Sequence, residues 1–137
     1  MIKMTYEHIN RHQVENALRK LMNSPLNNLR TSYNVHKIGE EILRAVAEKR
    51  VEYTMALREL AEKDEKGQVL FHEDGSPKIP ASAQEKVVEA TQRVLAGEII
   101  IERHRVPTLE LMAAKLSPNE VAALEPMLSG LDEVETA

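Results

Sequence analysis

Apolar positions recur at helical spacing through most of this chain. Val14, Ala17, Leu18, Leu21 and Met22 repeat at i, i+3, i+4, i+7 and i+8, one face of a helix that ends near Asn23. Asn10 followed by Gln13 predicts a capping box at its start. Ser24-Pro25 stops it, because proline disfavours helical conformation in the residue before it. Leu26–Thr31 reads as a connection. From Ser32 a longer stripe begins, carried by Val35, Ile38, Ile42, Val46, Tyr53, Leu57 and Leu60, a single face sustained for about 25 residues. Ile42 and Leu57 are both expected in the core. The stripe is interrupted at Lys49-Arg50, whose aliphatic stems can cover a packed face while their charges reach water. That break predicts a change of packing partner, with a leader helix and a C-terminal cap below it and a returning helix above. About 32 helical residues extend about 50 Å, longer than the chain's other helices obviously cover.

A turn-rich tip follows, EKGQVLFHEDGSPKIP. Asp74-Gly75 supports a turn with positive φ, and the apolar residues around it predict two very short strands. Ser82 with Glu85 predicts a capping box for a return helix whose inward face is Val87, Val88, Thr91, Val94 and Leu95, and which Gly97 ends. Glu98–Val106, with Ile99, Ile100 and Ile101 in a row, is the strongest strand signal. It needs a partner, and Met1–Tyr6, which alternates Ile2, Met4 and Tyr6 with polar residues, supplies one. Pro107 closes the strand and Thr108–Lys115 reads as a short helix with Leu109, Leu111 and Met112. Ser117-Pro118-Asn119-Glu120 is a complete helix start, a Ser cap, Pro in the first position and Glu in the third. Val121, Leu124, Met127 and Leu128 face inward from it, Gly130 ends it, and Leu131–Ala137 is expected to fray.

The expected fold is therefore mainly α. A long antiparallel helical hairpin (32–96) with a β-turn tip stands between a leader strand and helix (1–31) and a strand with C-terminal helices (97–137), with a minor two-stranded β element. At 137 residues the chain is expected to be a single domain. Hydrophobic residues make up 42% but aromatic residues only 3%, so the core must be aliphatic, which suits helix packing. Cysteine is absent, which excludes disulfides, thiol catalysis and Cys-based metal sites. No stretch approaches the roughly 20 apolar residues that span a membrane, and the first residues lack the apolar run of a signal peptide. Net charge is −4 and uneven: residues 1–39 carry six Lys/Arg against two acidic residues, whereas residues 117–137 carry five acidic residues and no Lys/Arg. Ends of opposite sign favour head-to-tail contact within or between copies.

The order of these pieces resembles an uncharacterised family of small tailed-phage proteins. The features that carry the resemblance are Leu18-Arg19-Lys20-Leu21 in the leader, Lys63-Asp64-Glu65-Lys66-Gly67 and Asp74-Gly75 in the tip, the isoleucine-rich Glu98–Glu102, and Leu116-Ser117-Pro118-Asn119-Glu120 near the end. It covers nearly the whole chain. It implies a phage or prophage origin, in the virion or the host cytoplasm, and carries over no catalytic residue.

Chemistry is sparse. His8 and His12 stand at i, i+4, a spacing that presents two imidazoles to one metal, with Glu15 the nearest third ligand. The expected cap at Asn10 leaves His8 outside the helix, so surface histidines are the better reading. The carboxylates of the long arm lack the Glu-x-x-His pairs of a di-iron bundle, and no phosphate loop or nucleophile motif is present. No enzyme activity, cofactor or metal is expected. Protein contacts are, either self-association or docking on another subunit, with a host protein as the alternative partner. The candidate surface is the tip (Phe71, His72, Glu73, Asp74) with the flank at Lys49, Arg50 and Tyr53. A weaker alternative is nucleic-acid contact through Arg11, Arg19, Lys20, Arg103 and Arg105, against which stand the negative total charge and the lack of aromatic stacking platforms.

Overall fold

A computed structural model describes residues 1–131. The protein is mainly helical with a small two-stranded antiparallel sheet. In chain order, β1 (Ile2–Thr5) is followed by α1 (Tyr6–Arg11), α2 (Val14–Met22) and α3 (Leu29–Leu60). Then come α4 (Gln84–Ala96), β2 (Glu98–Ile101), β3 (Val106–Pro107), a 3-10 helix at Thr108–Ala114, α5 (Pro118–Leu124) and β4 (Leu128–Ser129). The expected fraying tail lies, apart from Leu131, outside the described residues.

The chain divides into two compact units. One is Met1–Val46 with Glu98–Ala137, and the other is Ala47–Gly97. The division falls inside α3, three residues before the Lys49-Arg50 interruption in its apolar stripe.

In the first unit the expected pairing of the N-terminal strand with the isoleucine-rich strand is present. β1 runs antiparallel to β2, with Ile2 opposite Ile101 and Met4 opposite Ile99. Ile2, Met4, Ile99 and Ile101 point into the core while Ile100 faces out, the two-residue alternation of a half-buried sheet. β2 ends at Ile101 rather than continuing to Val106, and Val106-Pro107 instead pairs parallel with Leu128-Ser129.

The start of the leader helix differs from expectation. Thr5 caps α1 directly off the strand, its hydroxyl accepting from the His8 N–H at 3.1 Å. Asn10 therefore lies inside α1, and Gln13, at φ 53°, breaks the path before α2. Asn28 starts α3, its Oδ1 accepting from the N–H groups of Arg30 (2.9 Å) and Thr31 (3.2 Å). The helix so begins earlier than Ser32.

Val35, Ile38, Ile42 and Val46 of α3 are fully buried, together with Ile9, Val14, Leu18 and Leu21 of α1 and α2 and with Leu124 and Met127. Gly39 lets Met22 lie against α3, since a Cβ there would overlap the Met22 side chain. The expected cap of α5 is formed in full. Ser117 Oγ accepts from the Glu120 N–H at 3.2 Å, and a Glu120 carboxylate oxygen accepts from the Ser117 N–H at 2.8 Å. Replacing Ser117 by Ala is expected to lower stability by about 1 kcal/mol, read from denaturant midpoints.

The second unit is more thinly filled. Its buried side chains are Ala61, Ala83, Ala90 and Val94. Along α3 after Val46 nothing is buried, and Tyr53, Ala56, Leu57 and Leu60 are half-covered. Leu57 is thus not the core residue its spacing predicts. Tyr53 OH lies 3.2 Å from Thr91 Oγ1 of α4. Lys49 sits against Gly97, where a Cβ would come within 2.5 Å of Nζ. Ser82 does not cap α4: a 3-10 turn over Ala81–Ala83 leads in, and Ala83 occupies the cap position without a side-chain bond. Val88 points outward, because the covered face of α4 centres on Ala90 and Val94.

Candidate functional site

Between Leu60 and Pro80 the chain makes two successive turns that lay three extended segments side by side. Leu70 donates to the Glu62 carbonyl (2.8 Å), Lys78 donates to the Leu70 carbonyl (2.9 Å) and Glu62 donates to the Lys78 carbonyl (2.8 Å). Isolated bridges join Lys63 to Val69 and Phe71 to Pro77. This is a three-segment arrangement of single bridges, not two short strands.

Each turn is organised by an aspartate and a left-handed glycine. Asp64 Oδ1 accepts from the N–H groups of Lys66 and Gln68, both at 2.9 Å, ahead of Gly67 at φ 80°. Asp74 Oδ1 accepts from Ser76 Oγ (2.6 Å) and Ser76 N–H (3.0 Å), around Gly75 at φ 88°. Only glycine holds such a φ without strain. The Ser76 hydroxyl, and after it the Ser76 N–H, hold the Asp74 carboxyl below the ordinary carboxylate range. A folded-state carboxyl so lowered steadies its turn above the unfolded value and loses that contribution as pH falls through the folded one. Ser76→Ala removes the leading cause, so the Asp74 carboxyl carbon is expected to titrate at higher pH by NMR; an unchanged titration would contradict the assignment.

The sequence-predicted tip residues are all exposed. Phe71 is 45% exposed, with the Arg58 guanidinium 5.9 Å from its ring centroid. His72 accepts from the Gly75 N–H and donates its own N–H to the Ser76 carbonyl, and Glu73 and Asp74 face solvent. The flank residues do not join them. Tyr53 and Lys49 engage Thr91 and Gly97, Lys49 also lies 3.4 Å from a Glu52 carboxylate oxygen, and Arg50 is exposed on the same stretch. About 16 Å of helix separates Lys49 from Leu60, where the tip begins. What does lie beside the tip is Arg58, which the sequence reading passed over. With it come exposed apolar side chains on the same unit: Val51 and Met55 at 58% each, and Val88 at 55%.

The basic residues of the first unit are largely answered by carboxylates. Lys20 Nζ is 2.7 Å from Glu120 and also donates to the Lys115 carbonyl at 3.4 Å. Arg103 Nε is 2.6 Å from Glu41, and Arg19 is 3.6 Å from Glu15. Arg11 and Arg105 are exposed. The Lys20 ammonium, and then the Ser117 N–H, hold the Glu120 carboxyl below its ordinary value. Of the five cations, Lys20, Arg103 and Arg19 thus have carboxylate neighbours within the chain.

His8 and His12 both belong to the leader, with ring centroids 4.6 Å apart. His8 Nε2 donates to the Ala123 carbonyl at 2.9 Å, which fixes that nitrogen as the protonated one. Among the described residues no group of three or more His, Cys, Asp or Glu side chains stands ready to hold a metal ion. An apolar surface cavity of about 270 Å3 opens in the first unit, lined by Leu111, Met112, Val121 and Leu128 among others. Met112 and its neighbour Leu109 are both exposed, where the sequence pattern expects them on a packed helix. No described helix is long and apolar enough to cross a membrane.

Comparison with protein-family models, with curated proteins and with solved structures finds no match to this chain.

Proposed function

We propose that this chain is a non-enzymatic phage protein that works through protein contacts, as an accessory or adaptor in the tail or head–tail region of the virion. The observation that carries the reading is the composition of the second unit's surface. Val51, Met55, Phe71 and Val88 are each exposed on a unit whose own buried side chains are three alanines and one valine. Large apolar side chains left outside a thin core favour burial against another protein.

The fold proposed for this unit is an antiparallel helical hairpin with a turn tip. Its support is the order of contacts: Lys49 meets Gly97, Tyr53 meets Thr91, and Ala56 to Leu60 share a cleft with Lys86 to Arg93. Residue numbers rise along α3 as they fall along α4. The phage assignment rests on the motif resemblance of the leader, tip and C-terminal segments.

Mass spectrometry of purified particles tests the reading. Recovery of the chain at a fixed stoichiometry to known structural subunits is the expected result. Its absence from particles would overturn the assembly role, and stoichiometric recovery with one host protein in infected cells would place it instead among effectors that block host components.

A further inference from the structure

We propose that the outer face of α3 in the second unit, formed by Glu48, Val51, Met55 and Arg58, is a self-complementary seam on which a second copy of this chain docks antiparallel. The inference deepens the protein-contact reading above by naming the partner.

The four residues are spaced three, four and three apart, the spacing of a coiled-coil seam. At about 100° per residue they cluster about 140–220° around the helix from Tyr53, which faces α4. All four are exposed, with Val51 and Met55 the most prominent apolar side chains of the helix after Val46. The face toward α4 and the face toward solvent are therefore different sides of one helix.

The pattern is symmetric about Tyr53. Val51 and Met55 lie two residues to either side, and Glu48 and Arg58 five residues to either side. A two-fold axis at the level of Tyr53 brings Val51 of one copy against Met55 of the other, twice. It also brings Glu48 of one copy against Arg58 of the other, twice. These are the alternating layers of an antiparallel helix pair, with an apolar centre and opposite charges at both ends. A parallel pair in register would set Glu48 on Glu48 and Arg58 on Arg58, so the charges select the antiparallel arrangement. Phe71 lies beside Arg58, at the charged end of the seam. Two apolar layers and two charged ones are a small interface, so the dimer forms at high local concentration and dissociates on dilution.

Sedimentation equilibrium from micromolar to millimolar chain tests this. The wild-type protein is expected to pass from monomer to dimer within that range, a measurement independent of any variant. Glu48→Arg and Arg58→Glu each place two like-charge pairs in the seam and are expected to weaken the dimer about tenfold. Glu48→Arg is the cleaner of the two, because it leaves the Arg58–Phe71 contact in place. An equimolar mixture of the two variants, and the double variant E48R/R58E, restore opposite charges at every layer and are expected to recover dimerisation. A wild type that stays monomeric at millimolar concentration overturns the proposal. So do single variants that dimerise like wild type, or a mixture that does not recover. A monomeric chain found in particles would overturn this inference alone, and a dimer absent from particles would overturn the assembly reading alone.

Discussion

Replacing Ile42 by Ala is expected to destabilise the protein by about 2–5 kcal/mol, read as a shift of the denaturant midpoint. Ile42 is fully buried in the first unit, in line with Val35, Ile38 and Val46 on the same face of α3. Removing its outer carbons leaves a void that close-packed neighbours fill only in part. Leu57→Ala, three members further along the stripe and in the second unit, should cost about 1 kcal/mol, because Leu57 is only half-covered. Equal shifts for the two variants would show that the second unit is packed as tightly as the first.

The second large effect is expected in amide hydrogen exchange. Amides of α3 after Val46 and of α4 should open at a free energy at least about 2 kcal/mol lower than those of β1, β2 and the first half of α3. The cause is the difference in core. The first unit buries Ile2, Ile9, Leu18, Leu21, Ile38, Ile42, Leu124 and Met127 completely, whereas the second buries alanines and Val94. The helix is hydrogen-bonded without interruption through both, so a difference in protection along it reports side-chain packing rather than backbone pairing. Uniform protection along α3 would contradict this.

Where several local signals agreed, the sequence was a good guide. Ser117, Pro118 and Glu120 each favour the same helix start, and the box forms. The triple isoleucine finds the alternating N-terminal residues, because each strand leaves the other as its available partner. The gap at Lys49-Arg50 sits close to the place where α3 passes from one unit to the other. Single signals were less dependable. The Asn10 and Ser82 boxes had competition: Thr5 caps the helix as soon as the strand ends, and a 3-10 turn after Pro80 takes Ser82 out of cap position.

Periodicity places Val87 and Val88 together on the inward face of α4, but the covered face centres on Ala90 and Val94 and leaves Val88 in solvent. The parallel pairing of Val106-Pro107 with Leu128-Ser129 involves two residues on each side and leaves no period to read. Of the candidate surface, the exposure of His72 to Asp74 was legible from the turn chemistry, whereas Phe71, an apolar side chain expected to pack onto the helix ends, is 45% exposed. Arg58 was not legible, because a stripe sought among apolar residues passes over a charged member. For the same reason the seam of Glu48, Val51, Met55 and Arg58 stays hidden until α4 shows which side of α3 is covered.

The strand pairing also sets a schedule. Ile2 waits for Ile101, nearly a hundred residues later in the chain, and everything from Ala47 to Gly97 lies between them. On a ribosome the second unit is complete before the last strand of the first has been made. The N-terminal strand, with Ile2 and Met4 still unpaired, must be carried through that interval as an open edge. Loop closure over this distance makes the β1–β2 ladder a late event, and a chain stalled before Glu98 would hold α1 to α4 but lack both the clasp strand β2 and α5, which together complete its largest core.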